Sequence, residues 1–288
     1  MNAERPMAPL ELRRFEVGER DALRMIGRRY DNWLDYHWTQ HTSHVIENTG
    51  AILNVMREVD PTAVTERDVR RGRLLAAFHD FEQDFEVAEM FFGGMSLDKI
   101  VRNPMNEEMS ASAASKYMKE FGFSGSDIGD VRGDIDCTIA VPDPEFMGSF
   151  YQPKLQTGAS LTGIALGLAD LGCAGMEGPA RFHEDGAAWF RELFIGVREF
   201  LDSGELSHQD NLRQFMMGWL QGQVNFAEGR KERTEVEIGL LPDPMQEPVR
   251  SLFPHFDATI RMTQRNLQLA RQFSFSDLVT FFGYRHLH

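Results

Sequence analysis

An apolar run ends in a cluster of polar side chains at Leu74-Leu75-Ala76-Ala77-Phe78-His79-Asp80-Phe81-Glu82-Gln83-Asp84-Phe85. The apolar half favours a buried helix, and the imidazole and carboxylate of His79 and Asp80 stand directly at its end. Burying such a pair is costly unless something pairs with it. A divalent metal is one such partner, because neutral imidazole and carboxylate oxygen are good ligands for first-row metals. The alternative is a helix end whose polar pair meets water, which is the more frequent explanation of an isolated His-Asp dipeptide.

Composition places the chain among globular proteins. It has 288 residues, of which 42% are hydrophobic, so one to two domains with a sizeable core are expected. Only Cys137 and Cys173 are present, which argues for a reducing compartment without a disulfide framework. No apolar run approaches the roughly 18 residues of a membrane span. The sequence therefore predicts a cytoplasmic protein with no membrane partner.

The charge balance is acidic. Lys and Arg total 30 against 44 Asp and Glu, a net charge of −14. This disfavours nucleic-acid binding, which needs a basic surface. It does not exclude a small phosphorylated substrate, because a metal and a few local Arg or Lys residues can neutralise one phosphate.

A second group of histidines opens an apolar helix. His37 and His41 are four residues apart on one helical face, and His44 lies on its flank. Such a pair could bind zinc locally. The zincin protease signature is missing, however, because Trp38 rather than Glu follows His37. A helix start with solvated or hydrogen-bonded histidines is the alternative.

The pattern of the whole chain predicts an all-α fold, since period-2 alternation is nearly absent. Residues 10–200 are expected to form the metal-binding helical core, with the helices of residues 201–288 packed on it in the same domain. Within the core, a short helix is predicted over residues 127–141. The Pro-rich segment that follows is interpreted as a surface connection or a lid. Arg230-Lys231-Glu232-Arg233 is most simply a solvated turn, with anion binding as the minority interpretation.

In their order and spacing, these elements resemble the HD-domain superfamily of metal-dependent phosphohydrolases. That family carries a His, then a His-Asp pair on a second helix, then a distant Asp; the matching residues here are His41, His79, Asp80 and Asp170. Three local segments add to the resemblance, which covers residues 30–175. They are Tyr36-His37 with His41-Thr42, where Trp38 replaces the usual Asn, then Asn106-Glu107 with Ser110-Ala111, and Ala169-Asp170-Leu171.

The resemblance implies a compact multi-helix bundle with extra C-terminal helices and one divalent metal ion, with Mn, Co, Ni, Zn, Fe and Mg all open. It implies that Asp84 acts as a base or orients the attacking water, with Glu82 as the rival for that role. His37 would serve as a general acid on the leaving oxygen. Glu107 would orient a ligand histidine.

The function that follows is hydrolysis of a small phosphate ester, a nucleotide being one candidate, by metal-activated water. A non-catalytic nucleotide-binding or regulatory protein and an HD-type iron oxygenase are the alternatives. No His occurs between His79 and His183, where dinuclear members of the superfamily carry extra ligands, which argues for one metal and against the oxygenase. The expected partner is a small phosphorylated substrate, and apolar faces on the last helices leave a homodimer open.

Overall fold

The computed structural model describes residues 7–30, 34–146, 148–203 and 208–284. Within these ranges the chain is mostly helical, as predicted, with two small antiparallel hairpins that the sequence analysis did not foresee. The helices are α1 (Pro9–Tyr30), α2 (Thr39–Val59), α3 (Glu66–Phe78), α4 (Asn106–Glu120), α5 (Gly125–Ile128), α6 (Val131–Asp136), α7 (Leu161–Asp170), α8 (Cys173–Met176), α9 (Pro179–Leu193), α10 (Gly196–Ser203), α11 (Gln209–Ile238), α12 (Asp243–Arg250), α13 (Phe256–Ala270) and α14 (Phe275–Phe281). The strands are β1 (Phe85–Phe92), β2 (Met95–Arg102), β3 (Val141–Pro142) and β4 (Phe150–Tyr151).

Three helices, α2, α3 and α7, pack against one another and form the centre of the first core. A capping box between Thr65 and Asp68 fixes the start of α3. Gly72 lets α3 approach α2 closely, because a Cβ atom there would lie 2.3 Å from Cδ1 of Leu53. This close packing brings the end of α3 to the start of α2.

The apolar segment after Asp84 is a strand of the first hairpin. Gly93 and Gly94 form its two-residue turn with φ angles of 57° and 81°, a conformation that suits glycine and the twist of paired strands. Met90, Phe92, Met95 and Leu97 share one face and pack into the interior. The strand pattern was missed because exposed apolar residues on the other face, Val87 and Phe91, hide the alternation.

Two clusters of buried side chains stabilise the fold. The first joins α1–α4, α6–α8 and the α12 region, whereas the second joins the first hairpin with α9, α10 and α14. The 30-residue helix α11 contributes to both, since Leu212, Met216 and Leu220 lie in the second and Ala227 and Ile238 in the first. The sequence-based boundary at residue 200 stays a prediction.

Two local expectations were wrong. Residues 127–141 form the end of α5, the short helix α6 and part of β3 instead of one helix, and Gly129, a weak helix former, lies between α5 and α6. Arg230-Lys231-Glu232-Arg233 is not a solvated turn but lies inside α11, and Arg230 is fully buried. None of the described helices combines the length and hydrophobicity that a bilayer crossing requires.

Candidate metal centre

The metal-ligand candidates lie at the ends of three helices. His41 lies in the first turn of α2, His79 follows the last residue of α3 with Asp80 next to it, and Asp170 is the last residue of α7. Because these helices pack together, the four side chains meet although they are distant in sequence. The structure thus brings together the four residues that the sequence analysis proposed as ligands.

The four candidate ligand atoms form a tight cluster. Nε2 of His41 lies 3.4 Å from Oδ2 of Asp80 and 3.5 Å from Oδ1 of Asp170. Nε2 of His79 lies 3.1 Å and 3.4 Å from the same two oxygens. Metal–ligand bonds of about 2.0–2.2 Å place neighbouring ligand atoms roughly 3.0–3.6 Å apart. The spacing therefore fits one divalent ion.

The chemistry of His79 also fits a metal ligand. Its Nδ1 donates to the carbonyl of Ala76 at 2.7 Å, so Nε2 is the nitrogen with the free lone pair in the neutral ring. This Nε2 is buried, and its 3.1 Å contact with Oδ2 of Asp80 does not have the geometry of a hydrogen bond. A buried acceptor without a donor is unfavourable unless a cation satisfies it.

Neighbouring side chains fix the two carboxylates. Oδ1 of Asp80 accepts hydrogen bonds from Nε2 of Gln83 at 3.0 Å and from Nη2 of Arg102 at 3.2 Å. Oδ2 of Asp170 accepts from Nε2 of Gln152 at 3.4 Å. Each carboxylate thus has one oxygen held by the protein and one turned to the cluster.

Electrostatics keep both carboxylates charged. Burial opposes ionisation, but the neighbouring imidazoles outweigh it and lower the pKa of Asp170 to about 2 and that of Asp80 well below its ordinary value. Burial likewise opposes a charge on His41, yet hydrogen bonds to Asp170 and Asp80 raise its pKa to about 9. The two ionised carboxylates are thus balanced by imidazole protons, and a bound divalent cation would take the place of those protons.

His37 stands beside the cluster, where the sequence analysis expected it. Its Nε2 lies 4.0 Å from Oδ2 of Asp80, and its Nδ1 is hydrogen-bonded to Oε1 of Glu192 on α9. Oε2 of Glu192 accepts from the backbone N–H groups of Tyr36 and His37 at 2.7 and 2.9 Å. Burial favours the neutral acid, but these contacts outweigh it and lower the pKa of Glu192. Glu192 is 155 residues from His37, and no sequence pattern indicated it.

Glu107, which was predicted to orient a ligand histidine, lies near an arginine instead. Its nearest charged partner is Nη2 of Arg102, 3.9 Å from Oε1, rather than a ligand histidine. Burial raises the pKa of Glu107. Arg102, at the end of β2, connects this acid with Asp80 and was not singled out from the sequence.

Asp84 and Glu82 are not brought to the cluster. Asp84 is exposed and its Oδ2 accepts from Nδ2 of Asn103 at 2.8 Å, while Oε1 of Glu82 pairs with Arg29 at 3.1 Å. Neither acid lines the cavity described next. Their proposed roles as base or water-orienting residue have no support from this geometry and stay predictions.

A cavity of about 380 Å³ adjoins the cluster. Its polar wall near the metal ligands includes His37, Arg102 and Glu107, and its far wall is mostly apolar. Arg102 is the only Lys or Arg among the described residues that line it. The volume suits a small ligand that would reach the metal centre.

The second hairpin forms part of this wall through Val141 of β3 and Phe150 of β4. It is the segment interpreted from the sequence as a connection or lid. In the structure this segment is hydrogen-bonded to α11, because Asp143 accepts hydrogen bonds from Nε and Nη2 of Arg233. These bonds lower the pKa of Asp143 to about 2.

We expect Asp143→Asn to lower the free energy of unfolding by about 1–2 kcal/mol at pH 7. Because the folded pKa is below the usual 3.8, this stabilisation is present above about pH 4 and disappears as the pH falls towards 2. Urea unfolding of both proteins at pH 7 and pH 3 measures it, and the difference should shrink by about half at pH 3. An equal difference at both pH values would contradict the assignment.

A second group of potential ligands, Cys173, Glu177 and Asp185, is already neutralised. Arg181 Nη2 lies 2.6 Å from Asp185, and His44 Nδ1 lies 2.7 Å from Glu177. Cys173 Sγ donates to Asp185 at 3.2 Å. This group is best described as an ion-pair network that supports the cavity wall.

Comparisons of the chain with protein-family models, curated proteins and solved structures found no match.

Proposed function

We propose that the protein is a metal-dependent phosphohydrolase that cleaves a small phosphate ester. The observation that carries the proposal is the buried cluster of His41, His79, Asp80 and Asp170 at one end of a ligand-sized cavity. A divalent ion held by these residues would lower the pKa of a bound water and screen the charge on phosphoryl oxygens. The resemblance to the HD-domain superfamily points to the same reaction class.

Arg102 supports a substrate with an anionic group. Its Nη2 contacts Asp80, but its Nε is buried without a hydrogen-bond partner among the described residues. A guanidinium with spare donors beside a metal cluster suits phosphoryl oxygens, which accept charge-assisted hydrogen bonds. Arg102 would therefore bind and orient the phosphoryl group.

His37 is placed to handle the leaving group. Glu192 accepts from Nδ1 and fixes the ring, so Nε2 is the nitrogen that is available at the cavity. A proton held on Nε2 can be given to the oxygen that leaves phosphorus. Glu192 then acts as a positioning residue for His37.

Phosphate release after controlled metal loading tests the proposal. The protein is stripped with a chelator, reconstituted separately with Mn, Co, Ni, Zn, Fe and Mg, and assayed on alkyl phosphate monoesters and diesters. We expect release that depends on at least one of these metals. A fully metal-loaded protein that hydrolyses no ester would contradict the proposal and favour a non-catalytic binding protein.

Glu192→Gln gives a specific prediction for the leaving-group role. Glutamine keeps one acceptor oxygen in place of the two that Glu192 uses, and it carries no charge to stabilise the protonated ring. We expect kcat on an alkyl phosphate to fall about 10- to 100-fold with little change in KM. Hydrolysis of 4-nitrophenyl phosphate should fall much less, because that leaving group departs without a proton. Equal losses on both esters would argue against His37 as the acid.

A further inference from the structure

Five aromatic side chains form a continuous wall along the cavity: Tyr36, Trp189, Phe150, Phe226 and Phe182. The wall begins at the metal centre, because the ring of Tyr36 lies 4.6 Å from that of His41. From Tyr36, successive ring centroids are 6.1, 5.7, 6.1 and 5.8 Å apart. These rings border open space as well as one another, so part of their surface is available to a ligand.

Polar groups are scarce along this aromatic wall. The hydroxyl of Thr138 already donates to the carbonyl of Ile135 at 2.8 Å, and Asp185 is paired with Arg181. Nε1 of Trp189 is buried and has no hydrogen-bond partner among the described residues, and the amide of Gln223 also lines the cavity. A ligand with many hydroxyl groups would leave several of them unpaired here, and each such loss is unfavourable.

We propose that the aromatic wall recognises a planar aromatic or heteroaromatic group carried by the substrate. The group stacks against the rings, and the Gln223 amide offers a polar contact. This inference rests on the proposed function, because it names the part of the phosphate ester that lies away from the metal centre. Stacking on an aromatic side chain is favourable for any planar ring, so it selects a class of ligand rather than one compound.

Three alkyl phosphates with similar leaving groups test the selectivity: 2-phenylethyl phosphate, 2-cyclohexylethyl phosphate and glycerol 1-phosphate. We expect kcat/KM for the phenyl ester to exceed that for the glycerol ester by at least about tenfold, with the cyclohexyl ester between them. Equal values for the phenyl and glycerol esters, or a preference for glycerol, would overturn the inference.

Two variants of one residue separate stacking from general packing. Trp189→Leu removes all aromatic surface, whereas Trp189→Phe keeps a smaller aromatic ring without the N–H. The preference for the phenyl ester should be lost in the leucine variant and largely kept in the phenylalanine variant. Phe121→Leu removes an exposed ring outside the cavity and is the matched control. A preference that survives Trp189→Leu in a folded protein would contradict the role of the wall.

Binding of 1-naphthol to the metal-stripped protein gives a readout that does not need turnover. Ligand-observed NMR should detect saturable binding that weakens in Trp189→Leu and is unchanged in Phe121→Leu. If naphthol binds in this way but no ester is hydrolysed, the proposed function fails and the aromatic site stands. If esters are hydrolysed but naphthol binding is absent or insensitive to Trp189, the aromatic site is wrong.

Discussion

We expect the Asp80→Asn variant to release phosphate at least about a thousandfold more slowly than the wild type and to retain little metal. Asp80 supplies a charged oxygen to the cluster, 3.1 Å from His79 Nε2 and 3.4 Å from His41 Nε2. Asparagine keeps the size of the side chain and can keep contacts with its neighbours, but it removes the charge that a cation needs. The helical fold should therefore survive while the metal centre fails.

The control for this variant is Asp257→Asn, which makes the same chemical change at an exposed position that pairs with Lys231 on α11. Its metal content and activity should equal those of the wild type. Circular dichroism and urea unfolding of all three proteins check the fold. Normal hydrolysis by a folded Asp80→Asn protein would contradict a role for this residue in the reaction.

The largest effect on stability is expected at Arg230. This residue is fully buried and makes two hydrogen bonds to Glu237, from Nη1 at 2.9 Å and from Nη2 at 2.7 Å. Nη1 also donates to the carbonyl of Phe150 in the cavity wall at 3.3 Å. Arg230→Met leaves the Glu237 carboxylate buried without its partner, so we expect a loss of about 3–5 kcal/mol in the free energy of unfolding.

A double variant distinguishes this effect from lost packing. Arg230→Met with Glu237→Leu removes both charges and should recover most of the stability, because two apolar side chains of similar size can replace a buried ion pair. Arg250→Met removes a partly exposed arginine paired with Glu235 and Glu247 at the surface and should change the unfolding midpoint little. If the double variant is as unstable as Arg230→Met, the cost comes from packing rather than from the unpaired carboxylate.

The four ligand candidates were predicted from a resemblance in the order and spacing of residues, and local signals place these residues at helix ends. The capping sequence at Thr65, the break at Asp60-Pro61 and the end of α7 at Asp170 fix where helices begin and end. Once helix ends are known, the placement of His79 and Asp80 at one of them follows.

The groups that support the site could not be predicted in this way. Glu192 reaches His37 from α9, and Gln152 reaches Asp170 from the segment after β4, so each contact depends on how distant elements pack. Arg230 was mistaken for part of a polar turn because its neighbours in sequence are charged. Its buried partners are Glu237, about two turns further along α11, and the carbonyl of Phe150 in β4.

The first hairpin could not be predicted from the sequence for a different reason. Phe85–Phe92 is apolar at several adjacent positions, so its periodicity did not distinguish a strand from a buried helix. Gly93 and Gly94, with their positive φ angles, build a turn that returns the chain to the site. Arg102 reaches Asp80 only because of this return.

The metal content of the purified protein tests the central claim most directly. Wild type and His79→Ala, purified without added metal and again after reconstitution, are measured by plasma mass spectrometry. Four buried ligands around one position predict about one equivalent of a divalent metal per chain in the wild type, and its loss in His79→Ala. A wild-type protein that holds no metal even after reconstitution would contradict the metal centre and, with it, the proposed reaction.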